Sequence, residues 1–521
     1  MKLFILIKII TTFAADFNEM HFNSRIMTRK LLFLSAMVLM LSSCEGALDD
    51  IFGEWSRPTP PAVTSITLNE TSLTKMVGDD AFTLTATMNA DATDKTLVWT
   101  SDKPGVVSVD ANGVVTIQGQ GLATITVTAT NGTESTADDK TATCEVAVFK
   151  TVNLAELTGT GYYQAKDYDM LTGVLDQYSS YMISIPDGAT IKLSGVDIEG
   201  NDASYNAWAG LTCLGDATII LAEGTSNKVR GFQSNYPGIF VPSGKTLTIQ
   251  GSGSLTASSH GAGAGIGGGD GIACGNIIIN GGTINATGAG GAAGIGGGNG
   301  KACGTITING GNITATGGES AAGIGSGSSD AASCGVITIT GGTINANGGN
   351  KGAGIGSGGL LSVCGDIIIS GGDITAQGIY AAGIGTGYNC SYCGNISITG
   401  GTISATGGNW AAGIGVGPWG KCGNITIAKT ITGVTATKGN NSGSNTDPYS
   451  IGVGSDYLSN SDIPLCVCGT VTFDTQSFTL TGTQGTGSEN NSWTYSPAPV
   501  SGTNYGGLTL TISGDTWTLQ P

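Results

Sequence analysis

Twelve cysteines are the most reactive side chains of this 521-residue chain. Seven of them precede a glycine at one position of a repeated sequence, and these are Cys274, Cys303, Cys334, Cys364, Cys393, Cys422 and Cys468. Thiols can pair as disulfides, bind zinc or pack as small apolar groups. In-register strands keep Cβ atoms about 5 Å apart, farther than a disulfide prefers, so a buried column of free thiols is favoured. Disulfides are the alternative, with Cys390–Cys393 and Cys466–Cys468 as local pairs, and no metal or cofactor is predicted.

Carboxylates are the groups that a polysaccharide lyase or a glycoside hydrolase would need in a cluster. In the glycine-rich repeats, Asp366 and Asp373 have no acidic residue at the same register in neighbouring repeats. Acids and bases gather only upstream, at Asp197, Glu199, Asp202, Asp216, Glu223, Lys228 and Arg230. The sequence therefore favours a protein that is not an enzyme. A polysaccharide lyase or hydrolase that uses the upstream cluster is the alternative.

Aromatic residues gather in the last repeats and could bind sugar rings. Tyr380 and Trp410 occupy one register, four residues before a repeated isoleucine, so we expect their rings to stack one strand spacing apart. Tyr388, Tyr392 and Trp419 precede the repeated cysteine in the neighbouring loop. Flat exposed rings beside polar side chains suit the apolar faces and hydroxyl rims of sugars. Alternatively, these rings cover corners of the fold or contact a partner domain.

The elements that would position these groups are short β-strands. An isoleucine within an Ala-Gly-Ile-Gly string recurs at steps of 29 to 31 residues, at positions 266, 295, 324, 355, 384 and 414. Residues two apart share one face of a strand, which pairs Ala293 with Ile295, Ile306 with Ile308, and Ile313 with Ala315. Three strands per repeat would then face one narrow core, with glycines at the corners. This pattern predicts an all-β, right-handed parallel β-helix of about ten coils over residues 185–480.

The ends of such a column need covering, because open strand edges pair with other chains. Residues 151–184 are predicted to form the N-terminal cap, and residues 481–521 the C-terminal cap strands. The repeats also resemble β-helix carbohydrate-binding domains of anaerobic bacteria. That resemblance implies sugar binding and calcium in acid-lined loops, but such loops are sparse here.

Residues 62–150 contain about seven short alternating strands, a pattern typical of a β-sandwich. The strings Val98-Trp-Thr-Ser-Asp-Lys-Pro-Gly-Val-Val-Ser-Val-Asp110 and Gly113-Val-Val-Thr116 resemble the bacterial immunoglobulin-like group 2 domain. The resemblance implies an Ig-like stalk of the kind found in surface adhesins and carbohydrate-active proteins. It implies no chemistry of its own.

Residues 1–44 contain an export signal. Read from Met27, a basic segment precedes the apolar run Leu31–Leu41, which is shorter than the roughly 20 residues of a membrane-spanning helix. The ending Leu41-Ser-Ser-Cys44 resembles the lipobox of bacterial lipoproteins, and this implies lipidation at Cys44. Residues 1–26 are then a start-site extension or a second apolar leader. The acidic and proline-rich residues 45–61 resemble a surface-export signal followed by a stiff tether.

The net charge and the predicted export signal together restrict the possible function. The net charge is −17, and the chain has no basic patch, which argues against nucleic acid as a partner. The leader implies an outer-membrane protein held by a lipid and facing the cell exterior. We therefore expect a binding or adhesion module, with a glycan or host-surface molecule as its ligand. A structural surface spacer without any ligand is a further alternative.

Overall fold

A computed structural model describes residues 62–93, 95–131, 136–175, 180–199, 207–441, 447–455, 466–483 and 492–521. The predicted leader, Cys44 and the tether lie outside these residues. The described residues form two compact units: a small one from 62–67, 87–96 and 129–140, and a large one from 68–86, 97–128 and 141–521. No helix in the described part of the chain has the length and apolar character needed to cross a bilayer.

The Ig-like region consists of strands Ile66–Leu68, Ser72–Met76, Phe82–Thr83, Ala86–Met88, Leu97–Ser101, Val107–Val109, Val114–Ile117, Gly121–Ala129 and Lys140–Asn153. Within the large unit, Val114–Ile117 pairs antiparallel with both Phe82–Thr83 and Val107–Val109. Alternate residues of these strands are buried in one small core around Val115, Ile125 and Val146. The predicted Ig-like β-sandwich is confirmed.

The Ig-like region leads directly into the β-helix. Residues 150–153, at the end of the last Ig strand, pair in parallel with strand Asp169–Leu175, and the 3-10 turn Leu154–Glu156 connects them. Strand Thr160–Gln164 then pairs in parallel with Ser180–Ile185. Parallel stacking therefore begins upstream of residue 185, within the segment predicted to be an N-terminal cap.

The body is a parallel β-helix whose coils stack in register, apart from one register shift between Leu171 and Gly173. One stack, the Ile-Gly sheet, has 11 strands: Thr160–Gln164, Ser180–Ile185, Leu211–Cys213, Ile239–Phe240, Ile266–Gly267, Ile295–Gly296, Ile324–Gly325, Ile355–Gly356, Ile384–Gly385, Ile414–Gly415 and Ile451–Gly452. A second stack consists of Asp169–Leu175, Ala189–Glu199, Ala217–Leu221, Thr246–Gly251, Asn276–Ile279, Ile306–Ile308, Ile337–Ile339, Ile367–Ile369, Ile396–Ile398, Ile425–Ile427 and Val471–Phe473.

A third stack carries the Ile-x-Ala pattern. It consists of the end of Ala189–Glu199 and of Ser226–Arg230, Ser254–Ser258, Thr283–Thr287, Asn312–Thr316, Thr343–Asn347, Asp373–Gln377, Thr402–Thr406 and Gly433–Thr437. The predicted inward pairs are confirmed, since Ile295, Ile306 and Ile313 are fully buried in one core. Fold class and repeat register thus follow the sequence pattern.

The later coils contain a fourth stack that the sequence pattern did not predict. This cysteine sheet consists of Ser333–Cys334, Val363–Cys364, Tyr392–Cys393, Lys421–Cys422 and Val467–Cys468. The prediction of three strands per repeat is therefore wrong for these coils. The fixed register of the cysteines was the signal, because a residue that recurs at one depth in every coil marks a stacked position.

The cysteine column contains one disulfide, between Cys274 and Cys303, whose Cα atoms are 4.5 Å apart. For this pair the prediction of free thiols is wrong, because the two Cα atoms lie within the range that a disulfide tolerates. The other repeat cysteines are free and buried. The predicted local pairs Cys390–Cys393 and Cys466–Cys468 are also wrong, since all four cysteines are free.

The C-terminal end of the column is covered by strands Gln476–Thr483, Ser492–Ser496, Asn504–Tyr505, Leu508–Ser513 and Thr516–Gln520. Thr516–Gln520 pairs antiparallel with Gly433–Thr437, the last strand of the third stack. The hydroxyl of Tyr495 donates a hydrogen bond to the carbonyl of Ile451 at the end of the Ile-Gly sheet. These contacts satisfy backbone groups that an open edge would leave exposed.

Candidate binding surface

Two loops flank each strand of the Ile-Gly sheet and lie side by side. Tyr380, in the loop before Ile384, donates its backbone N–H to the carbonyl of Asn350 at 2.9 Å. Tyr388, in the loop after that strand, donates its backbone N–H to the carbonyl of Lys351 at 2.8 Å. Because Asn350 and Lys351 are consecutive, Tyr380 and Tyr388 belong to one surface. We call this surface, formed by residues 378–383, 386–391, 407–413 and 416–420, the loop strip.

Tyr380 and Trp410 stack in the loop strip. Their ring centroids are 5.7 Å apart and the ring planes differ by 24°. Both side chains are half-buried, and the backbone N–H of Trp410 donates to the carbonyl of Asn440 at 3.1 Å. The stacking expected from their shared register is therefore observed, and the coil backbone holds both rings in place.

Trp419 is buried, so the expectation that its ring is exposed is wrong. Its side chain is 8% exposed, and its ring meets that of Tyr388 edge-on, with centroids 5.0 Å apart. The backbone N–H of Trp419 donates to the sulfur of Cys466 at 3.2 Å. The ring of Trp419 thus packs beneath the half-buried Tyr388 instead of facing solvent.

Tyr392 lies on a different surface. It is an outward-facing residue of the cysteine sheet, in register with Val363 and Lys421. Its exposed fraction, 46%, is the largest among the five predicted site residues, and Val363 beside it is also exposed. The structure therefore brings together Tyr380, Trp410 and Tyr388, supports Tyr388 with Trp419, and leaves Tyr392 apart.

One backbone position in the loop after the Ile-Gly strand is left-handed in every regular coil. It lies five residues after the repeated isoleucine and has φ between +58° and +99° at Gly271, Gly300, Ser329, Leu360, Asn389 and Trp419. Trp410, in the adjoining loop, has φ +63°. A side chain in this conformation costs about 1–2 kcal/mol that glycine avoids. The first two regular coils have glycine at this position, whereas the later coils have Ser329, Leu360, Asn389 and Trp419. Side chains held in sparsely populated backbone conformations cluster at functional sites in proteins.

The acidic and basic residues of the early coils form surface ion pairs. Glu199 contacts Lys228 at 3.1 Å and Arg230 at 3.5 Å, and all three side chains are substantially exposed. Asp216 accepts the backbone N–H of Thr246 at 2.7 Å, which ties two coils together. Asp202 lies outside the described residues. Exposed pairs of this kind contribute little to stability, and the structure does not bring Glu199 and Asp216 together by any described contact.

Sequence reasoning missed a cavity at the C-terminal end of the column. It has a volume of about 420 Å³ and is lined by Lys438, Asp447, Pro448, Tyr449, Ser450, Ser492, Trp493, Ile512, Gly514 and Trp517. The residues come from four separate segments of the chain. No local spacing could have connected them, although the aromatic content of the tail was a weak signal.

Comparisons with known proteins match two parts of the chain. Residues 84–131 match the family model for the immunoglobulin-like domain of intimin. Residues 247–270, 277–299, 306–328, 337–359, 367–388 and 396–415 match the β-helix repeat model. A search of curated proteins finds no significant match. The matches place an Ig-like domain before a β-helix, as the fold does, and they identify the Ig-like domain as intimin-like.

Proposed function

We propose that this protein is a cell-surface binding module that holds glycan against Tyr380 and Trp410. The observation that carries this proposal is the stacked pair of half-buried rings on a rigid ladder. A sugar ring has apolar C–H faces that pack on aromatic rings, and its hydroxyls bond to polar groups at the rim. Exposed Asn350 and half-buried Lys351 and Asn409 border the rings and provide such groups.

Display at the cell surface is the second part of the proposal. The lipobox resemblance at Cys44 supports anchoring in the outer membrane by lipid, facing the exterior. The Ig-like domain supports a role as a spacer, because its last strand continues into the first coil of the β-helix.

The test is a binding screen of the full secreted chain, with Cys44→Ser to remove the lipid. Plant, mucin and capsular polysaccharides are the probes, and affinity electrophoresis is the measurement. We expect Tyr380→Ala together with Trp410→Ala to weaken binding by at least about 10-fold, which corresponds to about 1.4 kcal/mol of lost stacking. Tyr392→Ala on the cysteine sheet is the matched control and should bind like the natural chain. Unchanged binding by the double variant would refute the site.

A polysaccharide-degrading enzyme is the second candidate, since β-helix repeats occur in enzymes and non-enzymes alike. The same samples should therefore be assayed for new reducing ends and unsaturated products. Product formation that Glu199→Gln abolishes would replace the binding proposal with an enzyme whose site lies in the early coils. Absence of both binding and product would favour a structural spacer.

A further inference from the structure

The cavity at the capped end has rigid aromatic walls. Trp493 and Trp517 are 8% and 7% exposed, and the ring centroid of Tyr449 lies 6.2 Å from that of Trp517. The hydroxyl of Tyr449 donates to the carbonyl of Trp493 at 3.1 Å, and the indole N–H of Trp493 donates to the carbonyl of Cys466 at 3.1 Å. The walls are thus fixed by hydrogen bonds before any ligand arrives, which lowers the entropic cost of binding.

Charged groups of both signs line and border the same cavity. The Lys438 ammonium lies 3.0 Å from Asp447 and 3.5 Å from Asp515, and its side chain is only 16% exposed. This triad has one net negative charge. It therefore disfavours an anionic ligand, and Lys438 already occupies the place that a cationic ligand would take. Sugar hydroxyls, which both donate and accept, can bond to an ammonium and to carboxylates at once.

The volume also fits a small polar ring. Ligand cavities in proteins are about 300–1,000 Å³ and combine apolar walls with a few fixed polar groups. At about 420 Å³, this cavity lies near the lower end of that range. This volume accommodates about one or two sugar residues, so a longer glycan would extend beyond the cavity.

The loop strip leads to this cavity. Thr406 pairs with Thr437, so Asn441 occupies in its coil the register that Trp410 occupies in the preceding one. The backbone N–H of Trp410 donates to the carbonyl of Asn440, and the side-chain amide of Asn441 donates to Asp447 at 3.3 Å. Tyr380, Trp410, Asn441 and Asp447 therefore form a continuous path from the stacked rings to the cavity rim.

We propose that the cavity is a terminal subsite that receives the end residue of a neutral glycan whose following residues lie over Trp410 and Tyr380. The inference rests on the proposed function for its ligand class, and it adds that the protein recognises chain ends. Its prediction is specific: short neutral sugars bind in the cavity without needing the stacked rings.

The experiment uses the full secreted chain and tryptophan fluorescence, because Trp493 and Trp517 line the cavity. The probes are disaccharides of glucose, galactose, mannose and N-acetylglucosamine, with glucuronate and choline as charged comparisons. We expect at least one neutral disaccharide to bind. Ser492→Trp, which fills the cavity mouth at an exposed position, and Asp447→Asn, which removes a charged acceptor, should each weaken that binding by about 10-fold or more.

The controls separate this inference from the proposed function. Thr479→Trp adds the same ring at an exposed cap position outside the cavity and should bind disaccharides normally. Trp410→Ala should also keep disaccharide binding while losing polymer. Polymer binding that depends on Trp410 with no disaccharide response overturns the terminal subsite and leaves the proposed function standing. Preference for choline or glucuronate overturns the assignment of a neutral sugar. Absence of both polymer binding and disaccharide binding overturns both proposals.

Discussion

The early regular coils, residues 261–350, and the late coils, residues 378–455, share one core and differ at their loops. Ile295 in an early coil and Ile414 in a late one occupy the same fully buried position in the Ile-Gly sheet. The left-handed loop position is Gly300 in the early coil and Trp419 in the late one. The core repeats because stacking requires it, whereas the loops are free to vary. Bulky side chains at this left-handed position are the reason that the proposed binding surface is placed in the late coils.

Alanine substitutions in the core test whether side-chain packing stabilises the two regions equally. We expect Ile295→Ala and Ile414→Ala each to lower the free energy of unfolding by about 2–5 kcal/mol, because both side chains are fully buried in the same column. Urea denaturation followed by circular dichroism measures both. A cost below about 1 kcal/mol for only one of them would show that the two regions are packed differently.

Cysteine replacement tests a covalent difference between the regions. The early pair Cys274–Cys303 closes a loop with a sequence separation of 29, so its loss should cost about 3.6 kcal/mol in oxidising buffer. We expect the double Cys→Ser variant to denature at the same urea concentration with and without reductant, whereas the natural chain shifts. Non-reducing peptide mapping identifies the bond, and a late pair such as Cys422–Cys468 should be found as thiols.

The smallest expected change in stability concerns backbone strain in the loops. Leu361 is 52% exposed and has φ +66°, so Leu361→Gly should stabilise the chain by up to about 1 kcal/mol. Val467 is similarly exposed but lies in an extended strand, where glycine should destabilise by about 0.5–1 kcal/mol. Thermal denaturation of the two variants compares them directly. Destabilisation by both would show that Leu361 contributes packing and carries no net strain.

Much of the fold could be predicted from the spacing of residues. The period of the isoleucines and the alternation in each unit predicted the stacked strands and their inward faces. The shared register of Tyr380 and Trp410 likewise predicted their stacked rings, because equivalent residues of neighbouring coils lie one strand apart. The fourth stack was missed because its strands, such as Val363–Cys364, each bury one residue and therefore show no alternating pair of inward residues.

Other features of the site depend on contacts that no spacing encodes. Trp419 and Tyr392 both precede a repeated cysteine, yet one is buried under Tyr388 and the other faces outward. The direction of each ring depends on how the local loop bends, and that depends on left-handed residues whose conformation no alternation pattern reveals. The predicted surface therefore divides into the loop strip and a separate position on the cysteine sheet.

The sequence by itself determined the class of fold, the register of the coils and the place of the stacked rings. These properties follow from a period that repeats along the chain, and each coil needs only its neighbour to satisfy it. Tertiary structure alone decided the disulfide between Cys274 and Cys303, the burial of Trp419 and the cavity at the capped end. The cavity joins Lys438, Tyr449, Trp493 and Trp517, which come together only when the tail folds back over the last coil and closes its open edges.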